Sequence, residues 1–383
     1  MSKLESLKMD DVRSWNKKNI FCIAPFVNFS TTTDGFARLC CQSTTSTDIN
    51  LLEHDVDSIW NHQYYEQARN SFRNNQWPEP CSICKNLESK DIKSRRELEN
   101  RRWAHLNWDE LKKNPKIYCF DLRLGNQCNL KCIMCTPKNS TTWYDDYKQI
   151  EHLKGWKVLP GLQWALKGDL LDDIINHIDN VELLYFSGGE PLLNKKHNFI
   201  LNYLIDKKLS HKVSLIYDTN GTQISKKHIE LWHAFKKVSL NFSIDGTYEI
   251  DEYIRYPIKF DDVLTKFNLL KNTDIEVKLQ CALGAHNLLD ITNIFTLQEE
   301  YNFAGVNVSV VHWPECMQIK YLSDSIKIKC KKEFNKLNNT RLQDMLSALE
   351  LTNNNPIELQ KYFTQLDKIR NTNHKKIFPW IYK

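Results

Sequence analysis

From about residue 116 to 313, β-rich runs alternate with helical patterns, and this alternation limits the chain more than any other feature does. It predicts an α/β fold built from βα units around a parallel sheet. The expected strands are 117–124, 181–187, 213–217, 238–244, 275–283 and 306–311. Six strands are too few for a closed eight-strand barrel. Ligands of parallel α/β folds gather at the carboxyl ends of strands, so each exit loop is a testable site position.

The first exit loop reads Gly125-Asn-Gln-Cys-Asn-Leu-Lys-Cys-Ile-Met-Cys-Thr136. A cubane iron–sulfur cluster has four irons, so Cys128, Cys132 and Cys135 would leave one iron open to a further ligand. The second exit loop is Tyr185-Phe-Ser-Gly-Gly-Glu-Pro-Leu192. Its paired glycines let the backbone approach a ligand closely, and the adjacent carboxylate can accept from an ammonium group. The third strand leaves through Asp218-Thr-Asn-Gly221, a turn by composition, and the fourth through Ser243-Ile-Asp-Gly246. Arg255 follows ten residues after Asp245 and suits a carboxylate or another anion.

This ordered set resembles the radical SAM superfamily. The resemblance implies a partial (β/α)6 TIM-like barrel whose open iron chelates S-adenosylmethionine (SAM). Reductive cleavage of SAM in that family gives a 5′-deoxyadenosyl radical, which abstracts a hydrogen atom. Carried onto this sequence, Gly188, Gly189 and Glu190 recognise the methionyl amino group, Ser243 and Asp245 contact the ribose, and Arg255 pairs with an anion of cofactor or substrate. Met134 occupies a place that is commonly aromatic in the family. The sixth strand ends at His312; a lone His is ordinarily a satisfied structural residue, and no catalytic side chain is assigned.

A second cysteine system comes earlier. Asp34-Gly35 between apolar runs predicts a β-hairpin that brings Cys22 and Cys40 toward one end of a small sheet, and Cys81-Ser-Ile-Cys84 follows. The pattern Cys-x12-Gly-x4-Cys with a later Cys-x2-Cys resembles the Twitch domain, the shortened relative of the SPASM domain, placed here before the barrel. That resemblance implies an auxiliary 4Fe–4S cluster on Cys22, Cys40, Cys81 and Cys84, with Cys41 as the adjacent spare. Structural zinc is the alternative for four such cysteines.

The expected organisation is therefore an N-terminal α+β auxiliary-cluster domain with a linker helix over 1–110, the barrel over 111–320 and a helical C-terminal tail over 321–383. The mixed-sign run 90–103 reads as a solvated helix. Of the remaining cysteines, Cys119 and Cys281 read as small core residues, while Cys316 and Cys330 stand alone. A formal net charge of +5 on 383 residues does not point to nucleic acid, and no apolar stretch reaches membrane-span length. The N-terminus has no signal-peptide core, so a cytoplasmic protein is expected. Expected partners are SAM, a one-electron reductant such as flavodoxin or ferredoxin, and a peptide or small-molecule substrate. The rival class is a noncatalytic iron–sulfur or zinc scaffold that holds a peptide or protein partner.

Overall fold

The computed structural model describes residues 18–150, 170–334 and 356–382. Two compact units emerge: one comprises 1–125, 161–188 and 195–215, the other 126–160, 189–194 and 216–383.

In the first unit the strands are β1 (Asn28–Thr31), β2 (Ala37–Arg38), β3 (Cys119–Arg123) and β4 (Leu183–Ser187), in spatial order β2-β1-β3-β4. The Asp34-Gly35 turn forms, with Thr32 N donating to Phe36 O at 2.7 Å, and β1 and β2 pair antiparallel. The hairpin does not stand as a separate small sheet, because β1 runs parallel to β3 with Ser30 opposite Asp121. Phe29, Phe120, Leu122, Leu184 and Phe186 supply its apolar face and are all buried.

The mixed-sign run also departs from expectation. Its helix, Arg95–Arg102, buries Arg96, Glu97, Glu99 and Asn100. Burial is tolerated because the polar groups are matched. Arg96 forms an ion pair with Glu88 and donates to Asn19 O (2.8 Å) and Phe21 O (3.0 Å), while Asn100 both donates to Phe21 O (2.8 Å) and accepts from Ile23 N (2.9 Å). The backbone on both sides of Cys22 is thereby fixed.

In the second unit β5 (Ser214–Thr219, whose first two residues belong to the first unit), β6 (Lys237–Ser243), β7 (Glu276–Leu283) and β8 (Gly305–Val310) follow in sequential order, with β6–β7 and β7–β8 parallel. Strict alternation buries Val277, Leu279, Cys281 and Leu283 of β7 and leaves the intervening residues half-buried. The helix Phe260–Leu270 turns Phe260, Val263, Phe267 and Leu270 inward, and Phe267 packs edge-on against Phe242 with ring centroids 4.9 Å apart. All six expected strands thus form, which establishes the α/β class with a parallel-strand sheet. Among the described residues no helix is long and apolar enough to cross a membrane.

Candidate functional site

The loop bearing Cys128, Cys132 and Cys135 has almost no regular structure, so its shape rests on bonds to its carbonyls and amides. Ser140 Oγ and Thr142 Oγ1 donate to Leu130 O at 2.6 and 2.7 Å, and Trp143 Nε1 donates to Cys132 O at 3.1 Å. Lys131 N and Ile133 N donate to Tyr256 O and Ile254 O, both at 2.8 Å. The helix Ile357–Arg370 closes the back: Tyr362 Oη donates to Ile133 O at 2.5 Å and Arg370 Nη2 to Lys131 O at 2.8 Å. Arg370 also lies over the Trp143 ring at 4.7 Å and pairs with Asp146, which holds Lys131 at 2.9 Å.

The three thiols lie within electrostatic range of one another. Burial raises the pKa of each, with Cys132 pushed up to about 12, and the neighbouring Arg255 guanidinium pulls all three back. Leu130 N and Asn220 Nδ2 point at Cys128 Sγ, at 3.5 and 3.8 Å. Buried thiols held neutral in this way lose their protons on binding metal, and a buried cation with sulfur-directed N–H groups suits a negatively charged cluster. Among the described residues no three His, Cys, Asp or Glu side chains converge on the spacing of a single ion, and the cysteines form no disulfide.

The second exit loop meets the first. Gly189 has φ +55°, and a Cβ there would lie 2.4 Å from Gln127 O, so this backbone approach excludes any side chain. Glu190 N donates to Gln127 O at 2.8 Å. The Glu190 carboxylate, expected to face an ammonium group, is 1% exposed and accepts from Thr219 Oγ1 (2.7 Å), Asn220 N (2.7 Å) and Leu192 N (3.2 Å). It therefore ties its own loop to the β5 exit and orients Asn220 toward Cys128. A cavity of about 380 Å³ opens beside Asn129 and Asn220, lined also by Thr222, Phe242, Lys259 and Lys266.

Burial raises the Glu190 pKa to about 6, against the pull of its three donors. The sign is that of an acid favoured in its protonated form: the stability it contributes is present below about pH 4.5 and lost as pH rises through about 6. Compared with Glu190→Gln, which does not titrate there, the protein is expected to lose about 2 kcal/mol over that window in urea unfolding. A flat difference would refute the assignment.

Asp245 and Arg255, expected on the cofactor, bind each other. Arg255 Nη1 donates to Asp245 Oδ2 at 2.7 Å while Asp245 Oδ1 accepts from Ala282 N at 2.7 Å, and both residues are buried. Arg255 Nε has no hydrogen-bond partner among the described residues. Ser243 closes β6 opposite Gln280 and is half-buried. His312 is exposed.

In the first unit, Cys22, Cys40, Cys81 and Cys84 act electrostatically on one another, and burial raises the pKa of each. Arg96 lowers those of Cys22, Cys81 and Cys84. Cys41 answers instead to Arg95, Asp121, Glu99 and Arg123. Gly188 adopts φ +77°, and a Cβ there would meet Arg123 Cβ at 2.8 Å.

These features define a cysteine-rich α/β site of the kind that holds an iron–sulfur cluster, and the radical SAM superfamily is supported by its family model, which matches residues 122–295. The AdoMet-dependent heme synthase of Methanosarcina barkeri is 26% identical over 202 residues, covering 51% of this chain and 50% of that protein. The GTP 3',8-cyclase of Campylobacter jejuni is 26% identical over 176 residues, covering 46% and 49%. The chain thus spans about half the length of the curated relatives it matches. Among solved structures, Streptococcus suis SuiB bound to S-adenosylmethionine superposes with TM-score 0.41 at 14% identity, over 78% of this chain and 65% of that one. Native anSMEcpe with bound AdoMet gives 0.41 at 17% identity, over 61% and 62%.

Proposed function

We propose that this protein is a radical SAM enzyme that carries out oxidative modification of a peptide side chain or a small polar molecule. Cys128, Cys132 and Cys135 would hold a 4Fe–4S cluster, which would supply the electron for reductive cleavage of SAM and so for hydrogen-atom abstraction from the substrate. The chain's own residues prepare that site. Asn220 and the Leu130 amide donate to Cys128, Arg255 offsets thiolate charge, and Glu190 holds the two exit loops together. The observation that carries the reading is this three-thiol loop, closed behind by Tyr362 and Arg370 and faced by a buried guanidinium.

We assign Cys22, Cys40, Cys81 and Cys84 to a second 4Fe–4S cluster that either accepts the substrate electron or binds substrate. Cys40 is preferred over Cys41 because its thiol shares the field of the other three. The partial barrel, the Twitch-like character of the N-terminal region, the domain limits and a flavodoxin or ferredoxin reductant belong to the same proposal. The two curated relatives bear names for different reactions, so similarity supports the chemistry and leaves the substrate to this chain's own residues.

Anaerobically reconstituted protein should bind about eight irons per chain and form 5′-deoxyadenosine from SAM when reduced. Absence of that product from protein with a well-formed cluster overturns the reading. The pair Cys81→Ser/Cys84→Ser should retain about four irons. Dehydrogenation requires one oxidised product per deoxyadenosine, so a methylated product would remove that version.

A further inference from the structure

The first unit carries a second polar feature beside Cys40 and Cys41, whose thiols act on Arg38 and Arg95. The register places Arg38 opposite Ser30, Ser30 opposite Asp121 and Asp121 opposite Tyr185, one row across β2, β1, β3 and β4. Directly opposed residues share a face, and so do residues two apart on a strand. Arg123 and Ser187 therefore continue that face, and Arg123 Nε donates to Ser187 Oγ at 3.3 Å. A row of Arg, Ser, Asp and Tyr is unusual for a sheet whose opposite face carries Phe29, Phe120, Leu122, Leu184 and Phe186.

Several groups in and beside this face lack hydrogen-bond partners among the described residues. Asp121 is 5% exposed; its Oδ2 accepts from Ser30 Oγ at 2.8 Å, and its Oδ1 accepts from nothing. Arg38 Nε and Nη2 have no acceptor, nor does Arg95 Nε, although Arg95 pairs with Glu99 at 2.7 Å. Thr33 Oγ1, 2% exposed, is likewise unpartnered, and its methyl group lies 3.1 Å from the space a Cβ on Gly188 would occupy. Arg38 is repelled by Arg123 and attracted by Asp121, Arg95 from its helix acts on Tyr185, and both Arg38 and Arg95 lie in the field of Cys40 and Cys41, so the groups are neighbours in space. Buried polar atoms are ordinarily satisfied, and leaving one unsatisfied is costly, so a concentration of them marks a place shaped for another molecule.

We propose that this face binds a small acidic molecule, its carboxylate or phosphate on Arg38 and Arg95 and an adjacent hydroxyl or amine on Asp121 Oδ1. Two guanidiniums with free N–H groups match an oxyanion, and a carboxylate acceptor matches a donor beside it. The face continues to Arg123 and Ser187, the last residues of β3 and β4, the strand ends at which parallel sheets take their ligands. That the acidic molecule is the substrate rests on the reading given above; that it binds does not.

The test is isothermal titration of the full reconstituted chain, without SAM, at constant ionic strength in chloride, using inorganic phosphate, succinate and L-malate. At least one probe should bind saturably, and Arg38→Gln should weaken it about tenfold or more, the loss expected for a charge-assisted contact. Carboxylate-only or phosphate-only binding identifies the oxyanion. Malate should bind more tightly than succinate, and Asp121→Ala should remove that preference. If Arg38→Gln fails to fold by circular dichroism, Arg95→Gln carries the same expectation. No saturable binding, or equal binding by the Arg variants, overturns the proposal, as does uptake of these N–H groups by the sulfides of the adjacent cluster, read as shifted electron paramagnetic resonance g-values of the reduced cluster in Arg38→Gln without any effect on titration. Formation of 5′-deoxyadenosine is scored separately, so a failure of binding and a failure of SAM cleavage are told apart.

Discussion

Replacing Cys128, Cys132 and Cys135 together with alanine is expected to abolish 5′-deoxyadenosine formation while about four irons per chain remain. The thiols are the anionic soft donors of the loop, and the carbonyls of Leu130, Lys131, Cys132 and Ile133 are already occupied by protein donors. The fold should survive, because those carbonyl bonds do not involve sulfur. Residual iron is expected on Cys22, Cys40, Cys81 and Cys84, and iron analysis with electron paramagnetic resonance of the reduced protein checks both halves of the expectation. Persistent SAM cleavage in the triple variant would sink the assignment, and persistent biological activity without cleavage would favour the scaffold.

The second large effect is expected from Asp245→Ala. Its carboxylate is the direct partner of the buried Arg255 guanidinium and also caps the Ala282 amide. Removing one member of a buried ion pair leaves the other charge uncompensated, at a cost of about 3–5 kcal/mol. The double variant Asp245→Ala/Arg255→Met should recover part of that loss, because the orphaned charge disappears with its partner. Anaerobic urea unfolding measures both. A loss below about 1 kcal/mol for Asp245→Ala would show that Asp251, whose pKa burial raises to about 7, compensates Arg255 instead.

The strands were legible because their apolar residues alternate or run together, and the cysteine and Gly-Gly-Glu-Pro spacings marked two of their exits. Less legible was what the carboxylates do. Glu190 and Asp245 read as ligand contacts from their positions; in the folded chain each also accepts from protein donors. Local spacing carries no information about Thr219, Asn220 or Ala282, which reach them across other strands. The helix at Arg95–Arg102 looked solvated for the same reason: Arg96 and Asn100 are matched to carbonyls more than 70 positions earlier. Tyr362 and Arg370 were missed altogether, since their partners Ile133 and Lys131 lie 229 and 239 positions away. The one available hint was that a polar helix, Ile357–Arg370, also carries Leu359, Tyr362, Phe363 and Leu366 on one stripe.

That distance also sets an order of events during synthesis. Domains made on the ribosome begin to organise from their N-terminal side. The three-cysteine loop cannot be clamped until the segment 357–370 has emerged, more than two hundred residues after the last of its cysteines. The clamp therefore forms only after that segment has been made, and a translation product interrupted before it would present three unclamped thiols.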